Sequence, residues 1–162
     1  MRFDETFAQT NRLRTEGTDN LLAAAKAVDV RKFLAQSFAG WPYAREGAAV
    51  KDEEAALDPT PASNAKETTA AIRYLEQRVV AANGIVLRYG GFYGAGTSLA
   101  AGTSLAEDGE SVQAIRKRMF PVVGDGGGIT SFIHIEDAAH ATLAAIDAVA
   151  TRSLVRLPRP SA

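Results

Sequence analysis

Few residues in this sequence are equipped for chemistry, and their spacing narrows what that chemistry could be. Gly91-x-x-Gly94-x-Gly96 follows an apolar run, where a phosphate-cradling loop would sit. Its spacing is not that of a dinucleotide fingerprint, and no helix starts at its end to turn free amides toward a pyrophosphate. Gly124-Asp125-Gly126-Gly127-Gly128 precedes a second strand-like run and reads as a turn. His134, between Ile133 and Ile135, has the setting of a hydrogen-bonded structural histidine. Asp137 reads as a helix-start residue and Lys51-Asp52-Glu53-Glu54 as solvated loop. Ser37 is different. It falls just past the carboxyl end of a predicted parallel strand, where open α/β sheets place ligands. Its hydroxyl is either a donor to a substrate oxygen or a turn residue.

Composition removes whole classes of function. The 162 residues contain no cysteine and two histidines, His134 and His140, so disulfides, thiolate metal sites and a cysteine nucleophile are excluded and no metal site is expected. Eighteen Lys and Arg against nineteen Asp and Glu leave a net charge of -1, which predicts neither nucleic acid nor an anionic membrane as partner. No apolar run reaches the ~18 residues of a membrane span, and the first residues do not form a secretory signal. A globular cytoplasmic chain is the expectation.

The elements that must hold these residues follow from periodicity. Leu13, Leu21, Leu22 and Ala25 predict a long helix over 5–27, with Gly17 allowing close packing. Residues 31–36 predict a short strand, and 37–63, rich in Gly and Pro, a long loop. A helix over 64–82, capped by Ser63 or Asn64, buries Ile72, Leu75 and Val79 and turns Arg73, Glu76, Gln77 and Arg78 elsewhere. Asn83-Gly84 ends it, and 84–89 forms a buried strand. Strand, helix, strand in that order implies parallel pairing in an α/β sheet. Residues 94–108 form a loop in which Ala95-Gly96-Thr97-Ser98-Leu99-Ala100 is repeated at once as 101–106. A helix over 110–119, a strand over 131–135 and a helix over 136–150 follow. The tail 151–162 is rich in Arg and Pro and has no period.

In that order the segments resemble the second half of an extended short-chain dehydrogenase/reductase, the NAD(P)-dependent epimerase/dehydratase family. Gly17-Thr18-Asp19-Asn20-Leu21-Leu22-Ala23-Ala24-Ala25 resembles the family's G-T-x-N-L-L-x-A-A helix, and 30–37 the following strand with its terminal serine. Residues 87–96, Leu87-Arg88-Tyr89-Gly90-Gly91-Phe92-Tyr93-Gly94-Ala95-Gly96, resemble L-R-x-x-N-x-Y-G-P-G. Gly124-Asp125-Gly126 through Phe132-Ile133-His134-Ile135-Glu136-Asp137 resembles G-D-G…F-x-H-V-x-D. The resemblance runs from about Thr15 to about Val149.

It implies a partial Rossmann-like parallel sheet with flanking helices over 1–150, with part of a small substrate lobe, and an oxidoreductase using NAD or NADP on a small, sugar-like substrate. It implies Ser37 and Lys66 as catalytic residues, Lys66 holding the nicotinamide ribose, and Gly91, Phe92 and Tyr93 beside the nicotinamide. It also implies a homodimer through helices 5–27 and 64–82. The departures are specific. The family's G-x-x-G-x-x-G is absent, so a member would carry roughly a hundred more residues before Met1 to complete the sheet. Ala62 stands where the catalytic tyrosine of Y-x-x-x-K belongs, four residues before Lys66, and alanine transfers no proton. Phe38 competes with Ser37 for the catalytic serine position, and Tyr43 is the nearest replacement phenol. Gly91 replaces an asparagine, Ala95 a proline and Arg14 an asparagine. Thr130 stands where an arginine would hold a nucleotide-sugar diphosphate, which argues against that substrate. The alternative function is a catalytically inert, self-associating module.

Overall fold

The computed structural model describes residues 3–102, 107–120, 122 and 125–148. Strands β1 (Leu34–Phe38) and β2 (Ile85–Tyr89) pair in parallel, from Leu34 opposite Ile85 to Phe38 opposite Tyr89. Between them run the loop 39–62, a 3-10 turn at Ser63–Ala65 and helix α4 (Lys66–Ala81), which is the predicted strand–helix–strand unit. Strand alternation then sorts the core. Phe33, Ala35 and Val86 face α4 and close on Leu75 and Val79. Leu34, Ile85, Leu87 and Tyr89 face the opposite layer, helix α6 (Ile135–Asp147), through Ala138, Ala141 and Ala145.

A second pair lies beyond the carboxyl end of the first. After Gly90 the chain enters β3 (Gly91–Tyr93), parallel to β4 (Phe132–His134), where loop is predicted on one side. The Gly91 amide donates to the Ser131 carbonyl at 2.9 Å. A Cβ on Gly90 would stand 2.4 Å from that same oxygen, so only glycine lets the two backbones meet. Helix α5 (Glu110–Arg116) precedes β4 and stops short of 119, because the chain turns at Arg118 with φ +57°.

Three boundaries differ from expectation for identifiable reasons. The predicted helix over 5–27 is divided into α1 (Phe3–Thr6), α2 (Ala8–Arg12), a π-helical turn at Leu13–Gly17 and α3 (Thr18–Ala27). The Thr15 hydroxyl bonds back to the Asn11 carbonyl at 3.0 Å within that wider turn. Strand β1 begins at Leu34 and not 31, because Lys32 reaches across to donate to the carbonyls of Ile146 and Ala148 at the end of α6. Pairing continues to Phe38 opposite Tyr89, so Ser37, expected just past the strand, lies inside it. Finally, neither Ser63 nor Asn64 caps α4. The Asp4 carboxylate does, accepting from the Glu67 and Thr68 amides at 3.1 and 2.9 Å and from the Thr68 hydroxyl at 2.7 Å. A cap from another helix satisfies the same orphan amides as a local one. The other end of α4 follows expectation, with Asn83 at φ +59° and the Gly84 amide on the Val79 carbonyl.

The predicted strand over 131–135 and helix over 136–150 are β4 and α6. The helix opens at Ile135, with the ring nitrogen of His134 accepting from the Glu136 amide at 3.3 Å. Of the duplicated hexapeptide, 95–100 forms a turn in which the Thr97 hydroxyl donates to the Gly94 carbonyl. Residues 103–106, Gly124 and the tail 151–162 lie outside the described residues. Among the described residues, no helix is long and apolar enough to cross a membrane.

Candidate functional site

The carboxyl ends of β1 and β2 meet β4 at one place. The Ala39 amide donates to the Tyr89 carbonyl, extending the β1–β2 ladder by one bond. From the other side the Ser131 hydroxyl donates to the Ala39 carbonyl at 2.8 Å and the Thr130 hydroxyl to the Gly40 carbonyl at 3.1 Å. Residues 39–40 are thus held between β2 and the approach to β4. Pro42, fully buried, stiffens the exit. In an open parallel sheet this edge is where ligands bind.

Beneath it lies a buried polar network that the sequence reading passed over. Ser37, 5% exposed, donates its hydroxyl to Glu76 Oε1 of α4 at 2.6 Å. Arg88, opposite Ser37 on β2, makes a two-pronged pair with the same carboxylate, Nε to Oε1 at 2.8 Å and Nη2 to Oε2 at 2.7 Å. Its remaining Nη1 donates to the Glu53 and Ala55 carbonyls at 3.3 and 3.2 Å, and the guanidinium lies 5.5 Å from the centre of the Tyr43 ring. One arginine therefore links sheet, helix and loop. Burial pulls the Arg88 guanidinium down, but hydrogen bonds and charge from Glu76 outweigh it and hold it above the usual arginine range. Tyr43 is pushed up, first by burial, so its phenol stays protonated at neutral pH.

Glu76 corrects the predicted helix face. With Ile72, Leu75 and Val79 it forms the i, i+3, i+4, i+7 stripe that faces the sheet, and it does not turn elsewhere. A carboxylate in that stripe, with an arginine in the apolar strand 85–89, is the signal that was present and missed. Each charge was otherwise stranded in an apolar layer, and pairing is what permits its burial.

The predicted site residues are not brought together. The hydroxyl of Ser37 is engaged at Glu76, ten residues along α4 from Lys66, about 15 Å at 1.5 Å per residue. Lys66, the first residue of α4, is exposed and has no hydrogen-bond or ion-pair partner among the described residues. Ala62 and Lys66 flank the 3-10 turn, and Ala62 also lines an open cleft of about 450 Å³ between 44–46 and 58–60. Gly91, Phe92 and Tyr93 form β3. Phe92 packs on Tyr89, their ring centres 5.8 Å apart, and the exposed Tyr93 meets His134 edge to face at 5.1 Å. Among the described residues, no group of three His, Asp or Glu side chains is placed to hold a metal.

For a nicotinamide cofactor, the residues present fit at one end only. Gly90 and Gly91 lie tight against Ser131 and Phe132, so these glycines serve chain packing. Trp41 and Tyr93 are exposed near the strand ends, and Lys66 is exposed at the start of α4.

Comparison with known proteins places the geometry. Residues 4–154 match the model of the NAD dependent epimerase/dehydratase family. A 3-diazoavenalumate denitrifying reductase from a Streptomyces species is 41% identical over 155 residues, which are 93% of this chain and 48% of that protein. DesIV, a dTDP-glucose 4,6-dehydratase from Streptomyces venezuelae with NAD bound, superposes with a TM-score of 0.66 at 16% identity, over 94% of this chain and 46% of its own. MoeE5, in complex with UDP-glucuronic acid and NAD, gives 0.65 at 18% identity, over 91% and 49%. The chain spans about half the length of these relatives, and the two structures establish a shared α/β, Rossmann-like fold with parallel strands and flanking helices.

Proposed function

The chain belongs to the NAD dependent epimerase/dehydratase family, and from that membership we propose that it supplies the nicotinamide and substrate side of an NAD(P)-dependent reductase. The observation that carries this is the match over 4–154 to a family whose strand ends, here Ala39 to Trp41 and Gly90 to Tyr93, form one rim. The relative named as a denitrifying reductase favours reduction over epimerisation. A bound nicotinamide supplies or accepts a hydride. Lys66, exposed at the start of α4, would hold the ribose, and the β3 backbone and Tyr93 would bound the ring. Ser37 acts through Glu76, and so positions the loop that carries Tyr43; it does not touch substrate. Ala62, in place of a phenol, cannot supply the proton that accompanies hydride transfer.

The second reading, an inert self-associating module, is favoured by Ala62 and by the engaged Ser37 hydroxyl. It would use Leu13 and Leu21, exposed on the face of the 5–27 segment.

Calorimetric titration of the 162-residue chain with NAD and with nicotinamide mononucleotide separates the two readings. Because 1–162 contain no pyrophosphate fingerprint, the mononucleotide should bind within about threefold of NAD, both weakly, and Lys66→Ala should weaken both by about tenfold. No heat from either ligand at about 10 mM would leave only the inert module.

A further inference from the structure

Arg14 and Arg88 are both partly withdrawn from solvent, and the chain answers them differently. Arg88 has the Glu76 carboxylate on two of its nitrogens and two backbone carbonyls on the third. Arg14, in the π-helical turn, has one contact among the described residues, from Nη1 to the Asn11 side-chain oxygen at 3.3 Å. A guanidinium carries five N–H donors, and withdrawing its charge from water is costly until a counter-charge meets it. Burial acts on Arg14 with no carboxylate set against it among the described residues, and pulls it below the usual arginine range. Glu76 holds Arg88 above that range.

The acids along the same segment are engaged elsewhere. Glu16 pairs with Arg12 at 2.9 Å, and Asp19 accepts from Arg78 at 2.8 Å and from the Tyr74 hydroxyl at 2.5 Å. Asp4 accepts from the Glu67 and Thr68 amides and from the Thr68 hydroxyl. Thr68 has thus placed its hydroxyl proton on Asp4 and accepts from the Asn11 amide nitrogen at 3.0 Å. That orientation turns the Asn11 oxygen toward Arg14. Asn11 and Thr68 are buried, so Asp4, Thr68 and Asn11 hold the guanidinium from one side before any ligand arrives. Thr68 lies two residues after Lys66, in the first turn of α4. Arg14 keeps part of its side chain in solvent, where an incoming anion reaches it. A planar cation fixed from behind and unanswered by a carboxylate matches an oxyanion, which its N–H fork can grip with two parallel bonds.

We propose that Arg14, held by Asn11 and Thr68, is an anion-binding residue that takes a carboxylate or phosphate group of a small-molecule ligand beside the start of α4. The inference stands apart from the reductase reading, because it needs no nicotinamide.

The arginine Nε–Hε resonances of the isotopically labelled 162-residue chain test it. They are followed during titration with acetate and, separately, with inorganic phosphate, at constant ionic strength and without cofactor. The Arg14 resonance should shift saturably with at least one anion, at a concentration at least about fivefold below any that moves Arg12 or Arg78. The anion that saturates at the lower concentration names the group, carboxylate or phosphate. Arg14→Gln, which removes the charge, should abolish the binding while its urea midpoint stays within about 0.5 M of wild type, since no carboxylate loses a partner. Should that variant unfold more easily, Arg14→Lys carries the same test. It keeps the charge without the planar fork, and should bind at least about threefold more weakly. No saturable Arg14 shift up to about 100 mM of either anion, or full binding in a folded Arg14→Gln or Arg14→Lys, overturns the proposal.

Discussion

The α4 face of the β1–β2 pair and the region beyond its strand ends are built on opposite terms. On the α4 side every buried charge has a partner: Ser37, Glu76 and Arg88 close a network that also anchors the carbonyls of Glu53 and Ala55, and Ile72 and Val79 are sealed beneath it. Toward the strand ends and β4 the chain leaves apolar surface in the open, with Phe132, Ile129, Val122 and Met119 all more than half exposed. Exposed apolar residues are ordinary on protein surfaces. The α4 face is thus sealed around paired charges, while the strand-end surface keeps apolar side chains exposed.

Substitutions that respect this division should differ sharply in size. Glu76→Ala leaves the Arg88 guanidinium buried and unpaired and should cost about 3–5 kcal/mol in urea unfolding. A loss below about 1 kcal/mol would mean that the network is not a structural hub. Ile72→Ala, at 1% exposure, should cost about 3 kcal/mol through the cavity it opens. Asp4→Asn should cost about 1 kcal/mol at neutral pH, as a lost helix cap. Burial alone would raise the Asp4 carboxyl, but hydrogen bonds from Thr68 and Glu67 hold it below its usual value. Its contribution is therefore present above the ordinary carboxylate pKa and disappears as pH falls through the lowered folded one, so wild type and variant should converge in acid. The smallest effect belongs to the other side. Phe132→Ser, at 56% exposure, should change stability by no more than about 0.5 kcal/mol in urea unfolding.

How much of this was legible without coordinates follows the same division. The strand–helix–strand unit and its parallel pairing could be read from periodicity alone, because buried apolar stripes carry a strong signal. The Glu76–Arg88 pair was readable in principle, as two charges out of place in apolar stripes, but the helix face was drawn around Ile72, Leu75 and Val79 and excluded the position between them. The engagement of Ser37 depends on where β1 ends: pairing with β2 continues to Phe38 opposite Tyr89, two residues past the expected end, so its hydroxyl lies in the ladder facing Glu76 and not at the rim. The Asp4 cap joins positions more than sixty residues apart, and no local pattern announces it. The β3–β4 pair has three residues on each strand and depends on Gly90 meeting Ser131, so it too is tertiary in origin.

The central claim is that ligand binds at the strand-end rim and not on the α4 face, and amide chemical-shift mapping tests it directly. Adding nicotinamide mononucleotide to the isotopically labelled 162-residue chain should shift the amides of Ala39 to Trp41, Lys66 and Gly90 to Tyr93, and leave Leu75 to Val79 unmoved. Shifts centred on α4 around Glu76, or no shifts at saturating ligand, would contradict it.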